Sequence, residues 1–201
     1  MADVVDLPID LSPAGYEVLA FRPGSLDITG PNRLSAVRYS RLAIALAGAI
    51  REVHQRTLRD TGAETLAKAL AARIGTFYIV REPGAYGEGI VGYAYTEPPG
   101  TDAAVLRISE LEAFNADQGQ RACREVASTA VYGAMLDNPG PDRLRIDARA
   151  VIPEGRSEDY FVHDLGMELP PGVSWEDPGA YVMGPRDSVI EHITSNFAVE
   201  E

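Results

Sequence analysis

A single cysteine, Cys123, and a single lysine, Lys68, occur among 201 residues. One thiol excludes an internal disulfide and a zinc site built from several cysteines, and it fits a reducing compartment. The three histidines, His54, His163 and His192, stand far apart without ligand-type spacing, so no metal is expected. No apolar run is long enough for a membrane span. The N-terminal MADVVDLPIDL lacks both the basic start and the apolar core of a signal peptide, which makes the cytoplasm the expected location. Positive charge is also scarce: 18 Lys and Arg face 30 Asp and Glu, a formal net charge of −12. That balance opposes nonspecific attraction to nucleic acid or an anionic membrane, and neither is expected as a partner.

What is present is an ordinary globular composition, 45% hydrophobic and 24% charged, in a chain long enough for one substantial core. A single domain over 1–201 is expected, its core at about 16–183 and a C-terminal extension at 184–201. Tyr16–Phe21 reads as a first strand stopped by Pro23 and Gly24. Leu42, Leu46, Ala49, Ile50 and Val53 recur at helical spacing within Leu34–Arg59, and Leu66, Leu70 and Ile74 do so within Glu64–Ile74. TFYIVRE and GIVGYAYTE, separated by PGAYGE, predict an antiparallel hairpin. A strand VLRISELEAF then passes through NADQGQ into a helix over Ala122–Leu136, and RLRIDARAVI follows as another strand. A short helix near Glu158–Leu165, a strand at Ala180–Met183 and an apolar run at Ile190–Phe197 complete the pass. The order predicts an α/β domain with a mixed sheet.

The most informative stretch is Val105–Leu136. A strand that delivers its turn onto a helix start creates an anion site, because the first helical N–H groups lack intrahelical partners and carry the positive end of the helix dipole. This arrangement resembles the central strand, pyrophosphate loop and following helix of the GCN5-related N-acetyltransferase family. The loop pattern of that family, Gln or Arg, two residues, Gly, one residue, then Gly or Ala, falls here on Gln118, Gly119, Gln120, Arg121, Ala122 and Cys123. Arg121 stands at the central glycine. A second likeness lies in GRSEDYFVHDLGMEL, where Phe161, Leu165, Gly166 and Met167 carry the family's aromatic and Gly-Phe spacing. Val162 occupies the place of a tyrosine that many members use as a proton donor.

The resemblance implies a single-domain acyl-CoA N-acyltransferase-like fold, a mixed, mostly antiparallel sheet flanked by helices. It also implies acetyl-CoA or another acyl-CoA as cosubstrate and an amine-bearing small molecule or peptide as acceptor. The pyrophosphate would sit at Gln118–Cys123. Backbone N–H groups near Leu111, Glu112 and Ala113 would face the cosubstrate and steady the developing oxyanion. Glu110 or Glu112 would take the amine proton, and Tyr160 or water would protonate the departing thiolate. Residues two apart on a regular strand share a face, and the family's bulge would fall at about Leu111–Phe114.

Each of these residues also has a structural reading. Glu110 and Glu112 suit a solvated strand edge, Tyr160 a packed ring with a wetted hydroxyl, and Cys123 a small core position. Arg121 and Val162 support an alternative, a binding or regulatory protein of the same fold with a degenerate CoA site. The acidic chain suggests a cationic acceptor through electrostatic steering. The C-terminal segment 184–201 is open between capping the sheet, bridging a homodimer and remaining mobile.

Overall fold

The structure is a computed structural model and describes residues 4–11, 15–25, 33–57, 61–82, 89–114, 119–147, 158–177 and 179–199. Seven strands lie side by side in chain order: β1 (Val4–Val5), β2 (Glu17–Phe21), β3 (Thr76–Arg81), β4 (Ile90–Thr96), β5 (Val105–Ala113), β6 (Arg143–Asp147) and β7 (Tyr181–Pro185). Every neighbouring pair is antiparallel except β5 and β6, which run parallel. A parallel pair needs a long crossover. Helix α3 (Gln120–Asp137) supplies it. The expected mixed, mostly antiparallel sheet flanked by helices is the architecture observed.

Period-two alternation divides the core. On one face, Val18 and Ala20 of β2, Tyr78 and Val80 of β3 and Leu144 and Ile146 of β6 pack with Val126, Ala130, Ala134 and Met135 of α3. On the other, Leu19, Phe21, Phe77 and Ile79 meet Leu42, Leu46 and Ile50 of α1 (Arg33–Thr57) and Leu66 and Ala69 of α2 (Thr61–Ala72). Leu42, Leu46 and Ile50 of the predicted α1 stripe and Leu66 and Leu70 of the α2 stripe therefore face the sheet, whereas Ile74 lies past the end of α2 and is 44% exposed. Ten successive residues of α3, Val126–Met135, are buried, because sheet, N-terminal segment and C-terminal helix enclose it.

The C-terminal residues belong to this core. Helix α4 (Arg186–Phe197) buries Val189, Ile193 and Phe197 in the cluster that holds α3. Their spacing of four places them on one helical face. The core thus continues beyond the boundary expected at residue 183, and 184–199 is a packed element rather than an appended tail. The short helix expected at Glu158–Leu165 is a π-helical turn, Asp159–Asp164. The turn PGAYGE and the end of RLRIDARAVI lie outside the described residues. No described helix is long and apolar enough to cross a membrane.

Gly92 marks a close approach of layers. A Cβ there would stand 2.4 Å from Val126 Cγ1 and 2.5 Å from the Glu112 carbonyl oxygen. A glycine inside a strand often marks such an approach of helix and neighbouring backbone. Gly92→Ala is expected to cost about 1–3 kcal/mol through overpacking, read by urea denaturation. Gly100→Ala, where no atom lies within 4 Å, serves as the control. Equal midpoints for the two variants would contradict this packing.

Candidate active site

The central strand changes parity inside the site. In the β4–β5 ladder Tyr95 pairs with Glu110 and Thr96 with Ile108, so Ser109 is an extra residue on β5. A bulge of this kind shifts all later side chains by one position. Leu106 and Ile108 before it and Leu111 after it therefore join the α3 face. Arg107, Glu110 and Glu112 take the opposite face. The bulge sits before the glutamates and not at Leu111–Phe114, because pairing with β4 fixes its place. Glu110 and Glu112 consequently keep the common face expected of them.

Among the described residues the parallel ladder with β6 ends where the bulge begins. Its register runs from Val105 with Arg143 to Ile108 with Ile146. From Ser109 through Ala113, β5 has β4 on one side and, among the described residues, no strand on the other. A pocket of about 560 Å³ opens at this divergence on the α2 side, lined by Thr65, Lys68, Tyr95, Glu97, Arg107, Ser109, Glu110, Arg145 and Asp147. The sequence RLRID explains its far wall: Leu144 and Ile146 enter the core while Arg145 and Asp147 point to the opposite face, toward the pocket.

Hydrogen bonds order these side chains. Thr65 Oγ1 donates to Glu110 Oε1 at 2.9 Å, so α2 orients the carboxylate. Asp147 accepts Arg107 Nη2 at 2.7 Å on one oxygen and Arg145 Nε at 3.0 Å on the other. Arg107 Nη1 also meets Glu97 at 2.8 Å. The hydrogen bond to Asp147 is the leading reason that the Arg107 pKa lies above its usual value. Glu112 is nearly buried, 8% exposed, opposite Tyr93 in the ladder. The Tyr93 hydroxyl makes no well-aligned hydrogen bond among the described residues. Burial first, then the negative charge of Glu112 and Glu110, raises its pKa well above the ordinary phenol value.

A second feature lies at the head of α3. Gly119 caps the helix with φ 98°, a left-handed conformation suited to glycine, and the first turn contains no acidic residue. The amides of Arg121 and Ala122 belong to the turn that lacks preceding helical carbonyls. The Arg121 side chain is 84% exposed and reaches Glu125 at 3.0 Å, which draws it along the helix surface. Gln120, Arg121, Arg124, Asp164, Asn196 and Phe197 border a groove of about 480 Å³ there. Arg124 Nη1 donates to Asp164 at 2.6 Å. Desolvation raises the Asp164 pKa, with Arg124 opposing it.

No protein-family profile matches the chain. No curated protein sequence matches it either. Solved structures do. RimJ of Mycobacterium smegmatis, in complex with CoA-disulfide, aligns over 97% of this chain and 95% of its own at 11% identity and TM-score 0.55. A GCN5-related N-acetyltransferase of Brucella melitensis aligns over 97% and 84% at 13% identity and TM-score 0.54. The ribosomal-protein-S5-alanine acetyltransferase of Vibrio fischeri aligns over 92% and 97% at 11% identity and TM-score 0.51. The chain has the fold of the GCN5-related N-acetyltransferases.

Within this acetyltransferase fold, the anticipated residues divide into three groups. Glu110, Leu111, Glu112 and Ala113 lie together on the diverging part of β5, and Gly119, Gln120, Arg121, Ala122 and Cys123 form the start of α3. Gln118 lies outside the described residues. Tyr160 stands apart: it is fully buried on the α3 face, its hydroxyl 3.1 Å from Ser128 Oγ, while Glu110 and Glu112 occupy the other face. Burial raises the Tyr160 pKa above its ordinary value, so the hydroxyl stays protonated at neutral pH. Cys123 is partly buried, its amide bonded to the Gly119 carbonyl at 3.3 Å. Sequence reasoning did not single out Thr65, Arg107, Arg145 or Asp147. The alternation of charge and aliphatic residues in RLRID was the signal for the last two.

The shifted tyrosines carry a pH prediction. Tyr78, Tyr93 and Tyr160 all have raised pKa values, with burial the largest cause in each. Above about pH 10 an unfolded tyrosine loses its proton while these retain theirs, so stability falls as pH rises through that value. Spectrophotometric titration should show these phenols ionising together with loss of circular dichroism. Ionisation of all nine tyrosines near their ordinary value in a folded chain would contradict the burial.

Proposed function

We propose that the protein is an acyl-CoA-dependent N-acyltransferase, most simply an N-acetyltransferase, that acts on the amine of a small molecule or peptide. The observation that carries this reading is the edge of β5 that no strand among the described residues covers, beside a pocket in which Thr65 orients Glu110. The glycine-capped head of α3 follows on the next element, and its acid-free first turn suits a pyrophosphate. The Arg121 side chain lies along Glu125, which supports an accessible helix start despite the missing glycine. Gly119 to Cys123, together with Gln118, would hold the cosubstrate. Its chemistry is an activated acyl carbonyl. The Mycobacterium smegmatis neighbour was solved with CoA-disulfide, and the Vibrio fischeri neighbour is named for an alanine acceptor, which supports an acyl donor of this class and an amine acceptor.

In this reading Glu110 accepts the proton of the attacking amine, directly or through water, and Glu112 keeps the neighbouring field negative. Backbone N–H groups at Leu111–Ala113 stabilise charge on the carbonyl oxygen as the carbon–nitrogen bond forms. The carbon–sulfur bond then breaks and water returns a proton to the sulfur. Tyr160 is assigned to packing, since its hydroxyl is engaged by Ser128 in the core. Val162 and this buried tyrosine favour the second reading, a binding protein of the same fold without turnover.

Calorimetry with acetyl-CoA and CoA tests the assignment. The wild type should bind saturably, and Arg121→Glu should weaken binding about fivefold to tenfold at low salt by placing an anion at the helix start. Glu110→Gln should lower kcat by about 10²–10⁴-fold and leave CoA affinity within about twofold. No binding by the wild type at millimolar ligand would remove the acyl-CoA mechanism. Binding without consumption of acetyl-CoA by any amine would favour the second reading.

A further inference from the structure

The pocket beside Glu110 has a charge pattern unlike the chain that contains it. The whole sequence carries −12, yet the pocket lining sets Lys68, Arg107 and Arg145 against Glu97, Glu110 and Asp147. A site for a simple cationic amine would need only the carboxylates. The two arginines also differ in what they have left to offer. Arg107 is engaged at both ends, by Asp147 through Nε and Nη2 and by Glu97 through Nη1. It acts as a strap between β5, β6 and the residue that follows β4.

Arg145 is held but not used up. Nε donates to Asp147, and the guanidinium lies 3.8 Å above the centre of the Tyr181 ring. Among the described residues it has no further hydrogen bond, so the Nη1 and Nη2 groups remain as an oriented pair of donors. Its side chain is 29% exposed, open to a ligand yet largely withdrawn from water. Fixation on one edge by a carboxylate and on one face by an aromatic ring leaves the planar fork that matches a carboxylate in bidentate fashion. Withdrawal from water strengthens such a contact.

We propose that the acceptor carries a carboxylate close to its amine, with Arg145 holding the carboxylate and Glu110 facing the amine. The proposal rests on the N-acyltransferase reading for what happens to that amine. An α-amino acid is the simplest acceptor of this class. Its opposite charges match the mixed lining, whereas a diamine would meet Arg145 and Lys68 with like charge. This replaces the cationic acceptor inferred from net charge alone, because steering by the whole chain does not decide which groups meet inside a pocket. Arg145 is then a specificity-determining residue.

Direct binding separates this claim from the acyltransfer claim. The full chain is titrated calorimetrically with α-amino acids bearing small, aliphatic, aromatic and acidic side chains, with their α-carboxamides, and with simple diamines, with and without CoA. At least one amino acid should bind tenfold or more tightly than its carboxamide. Arg145→Gln should reduce that preference to within threefold, and Arg145→Lys, which keeps the charge but loses the fork, should retain an intermediate preference. The lysine variant carries the test if the glutamine variant does not fold. Carboxamides or diamines binding as tightly as the acids, no binding by any compound, or a preference indifferent to both variants would overturn the proposal. Acetyl-CoA consumption is followed separately with the same compounds. Carboxylate-selective binding without consumption would keep the Arg145 assignment and remove acyltransfer, and consumption without carboxylate selectivity would do the reverse.

Discussion

Among the described residues the parallel ladder between β5 and β6 runs from Val105 to Ile108, and the rest of the candidate site depends on where it stops. Each strand of a sheet can be bonded on both edges. When one partner is lost, the remaining edge must be satisfied by another element, solvent or a ligand. Here the loss coincides with the extra residue Ser109. The same position therefore ends the ladder seen among the described residues and rotates Glu110 and Glu112 onto the face that also carries Arg107. A regular strand in its place would send Glu110 toward α3 and Leu111 toward the pocket. A carboxylate would enter an apolar core and the pocket would lose its acid.

Electrostatic order at the site is local. Salt screens the net charge of the chain beyond about a Debye length from its surface, and inside the pocket the pairs formed by Asp147, Arg107, Arg145 and Glu97 decide what a ligand meets. Helix α2 contributes more than cover, because Thr65 orients Glu110 from across the pocket. The start of α3 lies at the other end of the same β5 to α3 connection, so one supersecondary unit presents both an acid and an anion-binding helix end. That economy is the physical reason for reading the two features as one site.

Much of this architecture was legible in the residues. β-rich runs punctuated by Pro and Gly marked β2 to β5, and a stripe of spacing three and four marked α1, α2 and α3. Other parts were not. The two-residue β1 exists only because Val4 and Val5 pair with Leu19 and Val18. The bulge depends on register with β4, a property of two strands, so the family resemblance placed it at Leu111–Phe114 rather than at Ser109. Val189, Ile193 and Phe197 carried a helical repeat that Pro and Gly in the preceding segment obscured. Arg145 and Asp147 became meaningful only when β6 was set beside Arg107. Tyr160 shows the converse: its residue type suited a proton donor, and its position beside Ser128 binds it into the core.

Hydrogen–deuterium exchange with and without CoA tests most directly whether the diverging edge and the helix start form one site. Protection should appear together in Ser109–Ala113 and in Gly119–Arg124, with β2 and β3 unchanged. Protection confined to other segments, or none at saturating CoA, would contradict the account.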